Sequence, residues 1–467
     1  MKIFLFFILL SKRMRNAFIA IALFIVILSL ILPTPAGLSR DGFIMLAILA
    51  MAIILWITEA IPIAATGLLI LALQPLLGVA DAKDVFASFG NKAVFFILAS
   101  FMIAGAVEKY GLHKRMAIKF LKMFGKSPKL FIFGVMLTGA SLSFIMQGHA
   151  VAVLLLPILM HILVSMKITP KESNFGIVSM LALAYGTTIG SCGTLLGGAR
   201  NPLTIAFLDG YGYEISFLDW MKINLPFVFI SIPVITAVLL LLYPPEIRSI
   251  DVAIEELEKE VYKMGRMTKN EKTLIGILIS TIFLWIFFSS QLGVAVIALL
   301  AVSALFLLKL INWEDVEKRV QWGIILVYGG AITMGKNLEA TNAAEWLALK
   351  ITAVFSNPYI ILACIIIITF ILTNFMSNTA AVATMLPISL SLANKIGISA
   401  AITAMATATA GGVAFLFVIA TPAVAIAYSS GYITQRNLLK AGIISAIICL
   451  SIIYILSIVY WQFILKL

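Results

Sequence analysis

Three places in this 467-residue chain gather chemically able side chains inside otherwise apolar sequence. The densest is Thr373…Ser377-Asn378-Thr379, hydroxyl and amide oxygens set between two apolar arms. Such oxygens, with carbonyls freed at a helix break, suit a hard monovalent cation such as sodium. Equally, they can bond backbone or pack between helices. The second place is Gln147-Gly148-His149, with Ser143 standing ahead of it as Thr373 stands ahead of Asn378. An imidazole titrates near neutrality, so His149 can serve as a satisfied hydrogen-bonding group, bind an oxygen of a ligand, or carry a proton. The third is Arg200, in the glycine-rich run Gly190-Ser191-Cys192-Gly193…Gly197-Gly198-Ala199-Arg200-Asn201-Pro202. A planar guanidinium suits two oxygens of a carboxylate, sulfate or phosphate. Its alternative is a pairing with Glu59, Glu108 or a backbone carbonyl.

The elements that must position these residues belong in a membrane. Hydrophobic residues make up 62% of the chain and charged ones 12%, with a mean hydropathy of +1.11. A soluble domain normally carries about a quarter of its residues charged. Runs such as Ala17–Leu32, Phe43–Ile57, Phe227–Tyr243, Val294–Leu308 and Ile443–Val459 reach or nearly reach across a hydrocarbon core. In lipid every backbone group must be paired internally, so these runs are helices. The expected fold is an all-α polytopic membrane protein with about 11 transmembrane helices plus two re-entrant hairpins. The short run Leu5–Leu10 precedes Lys12, Arg13 and Arg15, and the chain is read as starting at Met1 or Met14, with a spanning helix rather than a cleaved leader after it.

Landmarks recur in order along the two halves. Met146-Gln147-Gly148-His149-Ala150 leads into Leu156-Pro157-Ile158, and 230 positions on Met376-Ser377-Asn378-Thr379-Ala380 leads into Leu386-Pro387-Ile388. Gly105 and Glu108 are echoed by Gly335 and Glu339, and the run ending Arg200-Asn201 by Ala420-Thr421-Pro422-Ala423-Val424. Paired interrupted segments of this kind point to a binding site at the bilayer midplane. Residues 1–243 are read as a first repeat with a hairpin at about 130–165, 244–272 as a cytoplasmic linker, and 273–467 as a second repeat with a hairpin at about 358–394.

Charge distribution makes the repeats inverted. Lys109, Lys114, Arg115, Lys119, Lys122, Lys126 and Lys129 crowd one connection, whereas its counterpart, Leu338–Asn357, holds Lys350 alone. With the amino terminus cytoplasmic and the carboxyl terminus outside, most of the 33 Lys and Arg fall in cytoplasmic segments. The net charge of +12 therefore points to anionic lipid, not to nucleic acid. Cys192, Cys364 and Cys449 lie far apart in apolar segments and read as small buried hydrophobes.

These residues resemble the divalent anion/sodium symporter family over nearly the whole chain. The resemblance is carried by Trp56-Ile57-Thr58-Glu59-Ala60-Ile61-Pro62, Glu108…Gly111-Leu112, the Ser377-Asn378-Thr379 tip followed by Leu386-Pro387, and Ala420-Thr421-Pro422. It implies a homodimer whose protomers each combine a scaffold with a moving transport domain, in an elevator-type mechanism. It also implies one sodium per hairpin tip with the anion between them. Carried over residue by residue, a second sodium site would use Thr373, Ser377, Asn378 and Ala420, and a first would use Ser143, Gly148 and Gly197. The anion would meet Gln147, Gly148, His149, Ser377, Asn378 and Thr379 at the tips and Ala199, Arg200, Pro422 and Ala423 at the breaks. The first tip departs from the family's Ser-Asn-Thr, the first break has Ala199-Arg200 in place of a proline pair, and the second ends in Val424 in place of Asn.

The expectation is a secondary active transporter of the plasma membrane. It would couple sodium to a small divalent anion, such as a dicarboxylate, sulfate or a similar oxyanion, with no cofactor. A sodium/proton antiporter, a metalloid-anion exporter of related fold and a proton-coupled anion carrier are the alternatives. An intramembrane enzyme is disfavoured because Asp41, Asp81, Asp84, Asp209, Asp219, Asp251 and Asp315 all sit at segment ends or in loops.

Overall fold

The structure is a computed structural model and describes residues 12–467; the run Leu5–Leu10 and the alternative start at Met1 lie outside the described residues. The described residues fold as helices joined by short turns. The first half comprises α1 (Lys12–Ile31), α2 (Arg40–Thr58), α3 (Ile63–Leu76), short α4 (Ala82–Ala87), α5 (Lys92–Lys109), α6 (Leu112–Met123), α7 (Pro128–Leu142), α8 (Gly148–Ser165), α9 (Asn174–Gly190), α10 (Arg200–Gly210) and α11 (Phe217–Leu242). After α12 (Asp251–Met264) come α13 (Lys269–Leu292), α14 (Val294–Leu307), short α15 (Trp313–Arg319), α16 (Trp322–Ala340), α17 (Ala343–Val354), α18 (Pro358–Phe375), α19 (Asn378–Ile396), α20 (Ala400–Ala410), α21 (Pro422–Ser429) and α22 (Gln435–Ile455). A π-helical stretch, Leu456–Ile464, continues α22.

The order of elements from α2 to α11 recurs from α13 to α22. Among the described residues, eight helices are long and apolar enough to span a bilayer, and the bent pair Ala82–Gly90 and Lys92–Lys109 adds a ninth. The chain is a multi-pass membrane protein with the all-helical fold its apolar runs require. Several helices were not anticipated from hydropathy. Helices α4 and α15 are too short to register, α6 lies in the basic stretch, and α12 stands inside the polar linker because Ile254, Leu257 and Val261 recur at helical spacing. Two more, α10 and α21, follow the two breaks.

The breaks are what interlock the halves. Helix α10, which follows the first break, packs on α19 and α20 of the second half. Helix α21, which follows the second, packs on α8 and α9 of the first. Helix α7 lies unusually close to α9: a Cβ on Gly186 would sit 2.4 Å from the Met136 carbonyl oxygen, and one on Gly190 2.3 Å from the Ala140 Cα. Small residues allow such approach where lipid gives no hydrophobic drive between helices. A second seam joins α3 to α16, where Gly67 and Gly330 meet backbone to backbone.

Candidate functional site

Each hairpin reverses over a few residues of open backbone. In the first, α7 ends at Leu142 and α8 begins at Gly148 with Gln147 as its cap; in the second, α18 ends at Phe375 and α19 begins at Asn378 with Ser377 as its cap. Ser377 Oγ accepts the Ala380 N–H at 3.3 Å, whereas Gln147 gives α8 no side-chain cap. The breaks end similarly: α10 begins at Arg200 and α21 at Pro422, neither with a side-chain cap.

All four helix starts face one cavity of about 240 Å³. Its lining includes Gln147, Gly148 and His149 from the first tip, Ser377, Asn378 and Thr379 from the second, Gly197, Gly198, Ala199 and Arg200 from the first break, and Thr421, Pro422 and Ala423 from the second. The structure thus brings together every residue expected to meet an anion. Four amino-terminal helix ends give the cavity a positive potential without any side-chain charge. Arg200 is the sole charged residue among those lining it, and no carboxylate does.

Arg200 is 3% exposed and is wedged between the two breaks. Its Nε donates to the Ala408 carbonyl at 3.0 Å, and its Nη2 lies 2.9 Å from Ser191 Oγ and 3.0 Å from Cys192 Sγ. Gly198 and Gly412 make room for it, since a Cβ on either would sit 2.6 or 2.4 Å from a guanidinium nitrogen. Among the described residues no carboxylate pairs with Arg200; of the two suggested by sequence, Glu108 faces Arg319 at 4.0 Å and Glu59 is an exposed cap of α2. A buried cation held only by neutral groups retains its attraction for an anion. Nearby, Gln147 Nε2 is a buried donor with no hydrogen-bond partner.

The two sets of cation-ligating candidates differ. In the second half, Thr373 Oγ1 lies 2.7 Å from the Gly411 carbonyl oxygen and 2.9 Å from Asn378 Oδ1. Asn374 pins this arm to the break, accepting the Leu416 N–H at 3.0 Å and donating to the Phe370 carbonyl at 2.7 Å. Ala420 is buried one residue before the cap of α21. In the first half, the Gly197 carbonyl accepts the Gly148 N–H at 3.2 Å, and Ser143 Oγ donates to the Gly139 carbonyl at 2.7 Å. The Gly148 amide thus takes one of the two lone pairs of the carbonyl that a cation would share. Asn201 holds this break instead, donating to the carbonyls of Ser191 at 2.8 Å and Thr194 at 2.7 Å.

Sequence reasoning missed the wall opposite the tips. Ile63, Ile324 and Val327 make it apolar, and Gln321, at the start of α16, is its polar exception. Gln321 Nε2 lies 2.7 Å from His149 Nε2, and the Tyr328 hydroxyl donates to the Ala199 carbonyl. Both contacts join residues far apart in sequence, and no local pattern marks them.

The family model for the sodium:sulfate symporter transmembrane region matches residues 11–467. The chain is 29% identical to a sodium-dependent dicarboxylate transporter, SdcS, of Staphylococcus saprophyticus, covering 93% of this chain and 89% of the relative. It is 28% identical to SdcS of Staphylococcus aureus, covering 92% and 88%. Among solved structures, the YdaH transporter of Alcanivorax borkumensis superposes with a TM-score of 0.57 at 14% identity, over 85% of this chain and 96% of that one. MtrF of Neisseria gonorrhoeae gives 0.56 at 15%, over 94% of each. At such identities these two speak to the fold alone.

Proposed function

The chain belongs to the divalent anion/sodium symporter family, and on that premise we propose that it carries a small dianion, a dicarboxylate in the first instance, together with sodium. The coarser part, secondary active sodium-coupled anion transport by a membrane protein that is not an enzyme, comes with the family. One observation supports the anion reading most directly: four helix amino termini and an Arg200 guanidinium without a carboxylate partner line a single cavity free of acidic residues. A dianion there would be held by Arg200, by the free Gln147 amide and by backbone N–H groups at the tips.

The cation is assigned to the second tip, between Thr373, Asn378, the Gly411 carbonyl and the Ala420 backbone, with Ser377 beside them. The Thr373, Asn378 and Gly411 oxygens already converge, and a sodium among them would order the α18–α19 turn that bears Asn378 and Thr379. That coupling is the physical reason for symport: ordering by one solute lowers the entropic cost of binding the other. The first tip would contribute no cation, because Gly148 stands where the second tip has the Asn378 carboxamide and the Gly197 carbonyl is already shared with the Gly148 N–H. Helices α7–α11 with α18–α22 would move as one body along α3, α5, α14 and α16 in an elevator-type cycle. The protein would sit as a homodimer of inverted repeats in the plasma membrane, amino terminus cytoplasmic and carboxyl terminus outside. His149 in the cavity supports a proton-coupled variant of the same task, whereas Arg200 argues against a pure sodium/proton antiporter.

The test is uptake of succinate and sulfate into proteoliposomes, with and without a sodium gradient. Sodium-stimulated uptake of at least one dianion, with a Hill coefficient for sodium near one, is expected. Replacing Thr373 by Val should raise the half-saturating sodium concentration about tenfold, roughly the worth of one oxygen contact. Uptake indifferent to sodium would overturn the coupling, and indifference of every dianion tried would overturn the anion reading.

A further inference from the structure

A second cavity, of about 550 Å³, opens between α6, α12 and α13, away from the site described above. Its walls are apolar. Ile275, Leu278, Ile279 and Ile282 form a stripe along α13 at helical spacing, and Ile279 is 63% exposed. The inner end touches Ile145, in the open turn of the first hairpin. The mouth is cationic: Arg115, Lys119 and Lys122 project from one face of amphipathic α6, and no acidic residue lines the cavity.

The three cations are not equivalent. Arg115 is spent on structure, its Nε 2.6 Å from Glu271 Oε1 and its other nitrogens on the carbonyls of Met264 and Gly265 at 2.7 and 2.9 Å. Lys122 reaches Glu258 at 2.7 Å. Lys119 is exposed and has no acidic partner among the described residues. A fixed guanidinium, a shared ammonium and a free one thus ring the entrance to a greasy groove. The α13 stripe runs about 10 Å, a good part of an acyl chain.

We propose that this groove is a binding site for one anionic phospholipid, its phosphate at Lys119 and Lys122 and an acyl chain laid along α13 to Ile145. Apolar walls alone would accept any lipid; Lys119, the mouth's cation without an acidic partner, selects the anionic headgroup. A second copy of the chain would have to bring an acidic patch to the same mouth. Because the chain's end contacts the turn of the first hairpin, the bound lipid bears on an element that also shapes the transport cavity.

The full-length protein in mild detergent, incubated with an equal mixture of phosphatidylglycerol and phosphatidylcholine, is examined by native mass spectrometry. Wild type should retain phosphatidylglycerol in about fivefold preference, the selectivity that a cation near the headgroup provides. Lys119→Gln with Lys122→Gln should abolish the preference, and Ile279→Trp, which fills the groove, should reduce retention of both lipids. Equal retention of the two lipids by wild type, or a preference that survives the double substitution, overturns the proposal. So does disulfide cross-linking of Ile279→Cys between protomers, which would put a second copy on the groove. These readouts need no transport, so failure of the sodium-coupled reading leaves them unaffected.

Discussion

Arg200 concentrates the electrostatics of the molecule in one side chain. Burying a guanidinium at membrane depth is costly, and here its hydrogen bonds to neutral acceptors on Ala408, Ser191 and Cys192 orient it without cancelling its charge. Replacing it by Gln should leave a folded protein and remove the charge proposed to meet the dianion. A charge-assisted hydrogen bond is worth about 1.5–3 kcal/mol, so anion affinity should fall roughly 10–100-fold, read as a rise in the KM for uptake. Lysine should rescue little, since a point ammonium cannot reproduce the fork that reaches both breaks. A Gln variant that transports as well as wild type would remove Arg200 from the anion site. His149 and Gln321 show the opposite balance: the histidine was visible in the sequence as a residue of interest, whereas its partner 172 positions away was not.

At the scale of elements, two seams bear distinct loads. The α7–α9 seam is the tighter one, and adding a methyl group at Gly190 would drive it into the Ala140 Cα. Overpacking of this kind costs about 1–3 kcal/mol, so Gly190→Ala should lower the melting temperature, as followed by fluorescence-detected size exclusion. The second is the clamp of α12 on α6 at the membrane surface. Glu260 lies 2.9 Å from Lys263 and 2.9 Å from Lys114, and these ammonium groups hold its carboxyl down at about 2, from an ordinary value of 4.5. A depressed carboxylate contributes stability that is complete above its unfolded value and is lost as the pH falls through its folded one. The clamp should therefore hold at neutrality and loosen only between about pH 4.5 and 2, seen as faster amide exchange in residues 251–264. Loosening near neutral pH would remove Glu260 from the clamp.

At the scale of the whole molecule, the proposed orientation puts the linker inside and the α17–α18 turn outside. Cys introduced at Ser249 should resist an impermeant maleimide in intact cells and react after lysis, whereas Cys at Ser356 should react in both. The reverse pattern would invert the topology and the side from which each hairpin enters. Helices α3 and α16 meet the cavity through Ile63, Ile324 and Val327, an apolar wall along which the proposed elevator movement would slide the site at little cost. The contacts of α16 through Gln321 and Tyr328 must break in such a movement, so they belong to the state seen here.

Composition and apolar runs were enough to specify helices in a membrane, because a bilayer leaves the backbone no other way to pair its polar groups. The recurrence of Gln147-Gly148-His149 at Ser377-Asn378-Thr379 located both hairpin tips, because open backbone and turn residues leave a local signature. Three things had no such signature. The crossing of α10 onto the second half and of α21 onto the first, the seating of Arg200 between Gly198 and Gly412, and the closure of the cavity by Gln321 all join residues distant in the chain. Local sequence sets which segments become helices and where they break; which helix end faces which is decided only when the close-packed interior admits a single arrangement.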